Sequence, residues 1–379
     1  MTAALRPLLR LRRRSGRAGL VIAAFLVTRL VAFAATHAGA ARMTPEKIAQ
    51  WTWVPGRDLL FLGPPPPAAL APLMRWDSHF YISLAKEGYP PRHPGPNHHL
   101  AFFPLYGLLV RALAQGVGNV FWAAFLLSNL CTLAAALLLE RLARSSRRSN
   151  GPRAAILFLC TPGAHFFLYP YTEALFAMLL AAVLLLVRSG RFLLAALPAA
   201  AASATRSPGV AGAVALFAQG LLACTGTARA RALVAGALSL AGLAAFMAWC
   251  QVAQGDALAF VHMQALHHRE LSLLGPVRAF FAFETDPDYY LVTVACLYLL
   301  VRMVRRTPPW AWVTAAFLLL LPLATGTLTA MIRYQAANVP LVYGVPLVVR
   351  GRKFWIATAA CFALMAFEAF LFGKGIGHN

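Results

Sequence analysis

The feature that most constrains this chain is a succession of apolar runs, each roughly 16–25 residues long, separated by connectors rich in arginine. Runs of that length fit a hydrocarbon core ~30 Å thick. The composition agrees, because 60% of the 379 residues are hydrophobic and only 12% are charged, against about 25% in soluble domains. The expected fold is therefore all-α and polytopic, a single integral membrane domain over residues 1–379. Spans are predicted near 18–39, 119–140, 154–169, 171–187, 192–206, 208–224, 232–253, 289–304, 310–325, 328–349 and 354–373, about eleven in all. The net charge of +22 does not point to nucleic acid. Lys and Arg gather at the N-terminus and in 141–153, 188–191, 229–231, 302–306 and 350–353, where the positive-inside rule places them.

The first apolar run, up to Ala40, is too long for a signal-peptide core and is interrupted by Arg29. It reads as an uncleaved first span with a cytoplasmic N-terminus. Residues 100–117 decide the rest of the topology. If they cross the membrane, the basic run 141–153 lands outside. If they lie on the outer surface as an interfacial helix, every basic cluster falls inside, and that is the predicted arrangement. Two outer loops are then long, 41–117 and 254–288. The six cysteines, Cys131, Cys160, Cys224, Cys250, Cys296 and Cys361, all lie in or at the ends of apolar segments and read as small hydrophobes.

Within this apolar background the first outer loop carries an ionisable cluster, Arg75-Trp76-Asp77-Ser78-His79-Phe80. Asp77 is the candidate catalytic residue. An aspartate here also suits a helix N-cap, and the two roles are compatible. An interfacial carboxylate among aromatics can serve as a general base on a hydroxyl. Arg29, Glu173, Arg206, Arg333 and Glu368 stand in apolar segments, where a charge must face a cavity or a partner. Arg206 and Arg333 are expected near the outer face, either to grip a phosphate through the guanidinium fork or to pair with Glu173. Arg29 and Glu368 are read as structural. The turn Tyr169-Pro170-Tyr171-Thr172-Glu173 would suit a sugar-lined cleft. His79, His93, His98, His99, His262, His267 and His268 cluster outside, but no metal-binding spacing is visible. No cofactor is predicted, and a divalent metal is not predicted either, although the loops leave room for one. A transporter or flippase of lipid-linked sugar is the alternative from another class, and a non-catalytic assembly subunit is a third. Against transport, the ionisable groups lie at one face instead of the midplane.

Taken in order, the motifs resemble the PIG-V family, the second mannosyltransferase of GPI-anchor assembly, and its bacterial relatives. The resemblance rests on Trp76-Asp77, His79-Phe80, Gly88-Tyr89, Ala101-Phe102-Phe103-Pro104, Tyr171 to Phe176, Ala204 to Gly209, and Arg333-Tyr334 before Pro340. Two departures stand out: Pro208 replaces the usual Asn, and residues 90–100 hold Arg92, His93, His98 and His99 where the family often has an acid. The resemblance therefore does not carry over the family's acceptor. It implies a GT-C type bundle with the catalytic acid in the first outer loop. It also implies an inverting hexosyl- or mannosyltransferase that takes a polyprenyl-phosphate sugar as donor and a lipid or glycan as acceptor on the extracytoplasmic face. On that reading Asp77 is catalytic, and Trp76, His79, Tyr89, Phe103, Glu173, Arg206, Arg333 and Tyr334 bind substrate.

Overall fold

The computed structural model describes residues 5–46, 65–92, 97–144, 150–265, 269, 271–281 and 287–376. The expected His93, His267 and His268 lie outside them. Among the described residues there are 17 α-helices and no strand. They are α1 (Leu5–Ala40), α2 (Ser78–Lys86), α3 (Pro104–Val117), α4 (Val120–Arg144), α5 (Asn150–Cys160), α6 (Glu173–Arg188), α7 (Phe192–Ser203), α8 (Ala211–Ala223) and α9 (Gly226–Leu238). The second part of the chain forms α10 (Ala241–Gln254), α11 (Ala259–Ala265), α12 (Gly275–Phe281), α13 (Pro287–Met303), α14 (Pro309–Leu323), α15 (Met331–Ala336), α16 (Val339–Val348) and α17 (Gly351–Gly373).

Among the described residues four helical stretches are long and apolar enough to cross a membrane: Gly16–Ala40, Val120–Arg144, Gly226–Gln254 (α9 and α10 together) and Gly351–Gly373. A fifth is bent by 105° between a 3-10 turn, Pro162–Leu168, and α6. The other expected spans are shorter. α7, α8, α14 and α16 have 10–17 residues with their flanking turns, less than the ~20 a full crossing needs. Prolines explain part of the difference. The expected span 328–349 is broken between α15 and α16 just before Pro340, and the run 154–169 leaves the α-helix at Thr161-Pro162. Proline lacks an N–H and disfavours helical backbone in the residue before it. Hydropathy registers both runs as apolar but does not register where the helix stops.

The bundle closes by pairing α4 with α6, α1 with α17, α8 with α9 and α14, and α4 with α5. Small residues let backbones approach. A Cβ on Gly373 would sit 1.9 Å from the Thr36 carbonyl oxygen, so the α1–α17 crossing requires glycine there. α3 occupies the segment expected to lie on the surface. Tyr106, Gly107 and Val110 are buried on one face, whereas Leu108, Leu109 and Val117 are exposed. Its 14 residues are too few to span, and it packs on α2 and α4. It thus holds α2, and Asp77 at its start, against the bundle.

Candidate active site

Asp77 occupies the N-cap position of α2, yet its side chain makes no capping bond. It reaches across the bundle instead, and Arg333 Nη1 donates to Asp77 Oδ2 at 2.5 Å. The preceding residue, Trp76, has φ +48°, a left-handed conformation that costs a non-glycine residue about 1–2 kcal/mol. Contacts on both sides hold it there. The Trp76 ring packs 4.6 Å from that of Phe372, Arg75 Nη1 donates to the Phe372 carbonyl, and Ser78 Oγ and Tyr171 Oη donate to the Arg75 carbonyl. Ala330, at the N-cap of α15, also has positive φ, +68°. The helices carrying the two partners of the ion pair are therefore both entered through strained backbone.

Glu173 is the first residue of α6, where a helix favours a negative charge. Its Oε1 accepts from Arg333 Nε at 2.5 Å and forms an ion pair with Arg206 Nη1 at 2.8 Å. Oε2 is buried without a hydrogen-bond partner. Arg333 thus spends two edges of its fork on two acids, Asp77 through Nη1 and Glu173 through Nε. Its guanidinium also lies 4.5 Å from the Tyr171 ring centroid and 5.5 Å from that of Phe166, within cation–π range. Close backbone packing makes this reach possible. A Cβ on Gly163 would sit 2.3 Å from the Ile332 carbonyl oxygen, so the 3-10 turn bearing Phe166 can press against α15 only through a glycine.

Exposure ranks the four groups. Glu173 is fully enclosed, the Arg333 and Arg206 side chains are 8% and 11% exposed, and Asp77 is 27% exposed. Asp77 is therefore the carboxylate an incoming molecule meets first, and Glu173 is its buried support. A third cation joins from the connection between α11 and α12. Arg269 donates to the Tyr334 hydroxyl and lies 5.6 Å from that ring's centroid, while Arg206 lies 5.4 Å from it. Three guanidiniums against two carboxylates leave one positive charge at the mouth of the cluster.

The structure thus brings Asp77, Glu173, Arg206, Arg333 and Tyr334 together. The expected Arg–Glu pairing and Asp77 are parts of one network. The remaining candidates lie differently. His79 Nε2 donates to the Met74 carbonyl at 2.8 Å. Burial pushes His79 down to about 3, so the ring is neutral at ordinary pH. Tyr89 and Phe103 belong to a second aromatic group with Phe246, Trp249 and Phe260. The Tyr89 hydroxyl donates to the Phe102 carbonyl at 2.6 Å, so this group ties the chain around Tyr89 and Phe103 to α10 and α11. Of the two turn tyrosines, Tyr171 faces Arg333, whereas the Tyr169 hydroxyl turns away to Thr36. Arg29 donates to the Ala164 carbonyl and so fastens the 3-10 turn, a structural use. Glu368 is buried in α17. Among the described residues no three His, Cys, Asp or Glu side chains converge on a metal position.

Sequence reasoning missed Arg269, Tyr81 and Phe166. Tyr81 Oη lies 3.2 Å from Thr172 Oγ1 and so links α2 to the start of α6. An arginine on the side expected to be poor in basic residues was the one available signal for Arg269.

A search among curated proteins found no match to the chain. The family model described as Mannosyltransferase (PIG-V) matches residues 67–224, a stretch that holds Asp77, Glu173 and Arg206; Arg333 lies beyond it. Over that stretch the chain is similar to the mannosyltransferase (PIG-V) family, a similarity that supports a glycosyltransferase enzyme.

Proposed function

We propose that the protein is an inverting mannosyltransferase. On this reading it moves the sugar from a polyprenyl-phosphate donor to a hydroxyl of a lipid or glycan acceptor, at the extracytoplasmic face of the membrane. The observation that carries the reading is the partly exposed Asp77 carboxylate held by an arginine that a buried glutamate holds in turn. Before substrate arrives, Arg333 is shared between Asp77 and Glu173. A donor phosphate competes with Asp77 for that guanidinium. Phosphate on Arg333 and Arg206 frees the carboxylate of Asp77 to face the acceptor. The acceptor oxygen then attacks the anomeric carbon and its proton passes to Asp77. The bond from that carbon to the phosphate oxygen breaks opposite the attack, and the electron pair leaves with the phosphate. The leaving group departs as an anion, so no general acid is needed; the guanidiniums stabilise the charge it gains. The surplus positive charge of the cluster suits an anionic donor. Glu173 Oε2, enclosed and without a partner, is an acceptor that a sugar hydroxyl would satisfy once the cluster opens.

The orientation rests on charge. Arg188, Arg306 and Arg350 lie toward the end of the bundle away from Glu173, since α6 runs 16 residues from Glu173 to Arg188. The positive-inside rule makes that end cytoplasmic and the Asp77 end extracytoplasmic. The test uses purified protein with tritiated polyprenyl-phosphate mannose and a lipid extract of the host. Label appearing in a new glycolipid or polymer, with the anomeric configuration inverted from the donor, supports the proposal. Retained configuration would rule out the single displacement. Movement of intact donor across vesicles without cleavage would return the transporter alternative.

A further inference from the structure

A second basic site lies at the far end of α6. A cavity of about 730 Å³ is lined by Arg188, Arg306, Pro308, Trp310, Tyr343, Leu347 and Arg350. Three arginines and no acid contribute to that lining. Glu173 and Arg188 are the first and last residues of α6, which at about 1.5 Å per residue puts them about 22 Å apart. The cavity is thus separate from the acid–base cluster. Arg188 Nη1 donates to the Tyr343 hydroxyl at 3.0 Å, and Trp310 packs 5.2 Å from the Tyr343 ring. This aromatic pair sets one guanidinium in place, whereas Arg306 and Arg350 stand exposed at the rim.

We propose that this cavity binds the phosphate of an anionic lipid headgroup. The arginine fork matches phosphate oxygens in pairs, and three such forks converge on this open cavity. Two helices also begin at the cavity: α14 just after Pro308, and α17 just after Arg350. Their positive ends add to the arginine charge. The remaining lining favours a lipid over a soluble anion. Trp310 and Tyr343 are residue types that settle at the headgroup level of a bilayer. Leu347 and Pro308 give the acyl side an apolar wall. Basic pockets between helices at a membrane surface are suited to anionic headgroups. The bound lipid would bridge α6, α14 and α16, two of them the short helices that cannot span by themselves.

The test compares full-length, delipidated protein with a variant carrying Arg306→Ala and Arg350→Ala. Both side chains are exposed, so the fold is expected to tolerate the change. A control variant carries Arg229→Ala and Arg231→Ala, which removes the same charge from exposed positions of α9. Native mass spectrometry reads binding of phosphatidylglycerol, phosphatidylcholine and inorganic pyrophosphate to each. The proposal expects phosphatidylglycerol to bind wild type and control alike, and the rim variant on the order of thirtyfold more weakly. Phosphatidylcholine is expected to bind none of them selectively. Pyrophosphate binding that is strong and is lost in the rim variant, without selective phosphatidylglycerol binding, would overturn the lipid source in favour of a free phosphate. Equal losses in the rim and control variants, or no difference between phosphatidylglycerol and phosphatidylcholine, would overturn the site itself.

Discussion

Glu173 offers the sharpest test of the charge network, because its carboxylate is fully enclosed and serves two arginines through one oxygen. Glu173→Gln keeps the shape and removes one negative charge. Arg206 and Arg333 are then left with Asp77 alone, and the Arg206 guanidinium loses its ion-pair partner in a site that is 11% exposed on that side chain. Removing one member of a buried pair costs about 3–5 kcal/mol. Arg206→Gln in the same background removes the cation that has lost its partner and leaves Asp77 and Arg333 paired. If the account holds, the double variant is more stable than the sum of the two single losses by about 1–3 kcal/mol. Reversible unfolding of the purified protein in detergent micelles, run as a double-mutant cycle, measures this directly. The reasoning is refuted if Glu173→Gln costs under about 1 kcal/mol, or if the two changes simply add.

Other consequences follow from single contacts. Arg333→Lys keeps the charge but cannot address Asp77 and Glu173 at once, so sugar transfer should fall on the order of 10²-fold; near-normal turnover would show that the fork is not needed. Ala330→Gly relieves positive φ and should raise the unfolding midpoint, with a gain of about 1 kcal/mol; a lower midpoint would mean that the backbone is not strained there. Burial holds His79 near 3 and His99 near 4, below the ordinary value of about 6.5. The unfolded chain therefore takes up more protons as pH falls, and stability present above about 6.5 is lost on acidification toward those values. His79→Gln should flatten the decline in unfolding midpoint between pH 7 and pH 5, and an unchanged decline would argue against it.

Much of the site was legible because charge in an apolar segment is expensive. Glu173, Arg206 and Arg333 stand out in runs of Ala, Leu and Val, and each had to find a partner or a cavity. The structure adds that one arginine joins both acids, which no spacing discloses, since Asp77 and Arg333 are 256 positions apart in the chain. The helix start at Ser78 was readable from Asp77 as a cap, but the aspartate holds that position without the capping bond. Its side chain has a stronger charged partner in Arg333. Hydropathy carried the helical class and the long spans α1, α4 and α17 well. It failed at 328–349 and 154–169, because residues buried inside the protein are as apolar as residues facing lipid. Tyr89 and Phe103 matched a motif and pack against α10 and α11, and a motif match does not separate contact with substrate from support of the loop that makes it.

The central claim is that Asp77 takes the proton from the acceptor while Arg333 passes to the donor phosphate. The most direct measurement is the transfer rate of tritiated mannose from polyprenyl phosphate by wild type and by Asp77→Asn, both purified and both shown to be folded by their unfolding midpoints. The account predicts transfer by the wild type and a loss of about 10²–10⁴-fold in the variant, with donor binding retained. A folded Asp77→Asn protein that keeps most of the wild-type rate would contradict it.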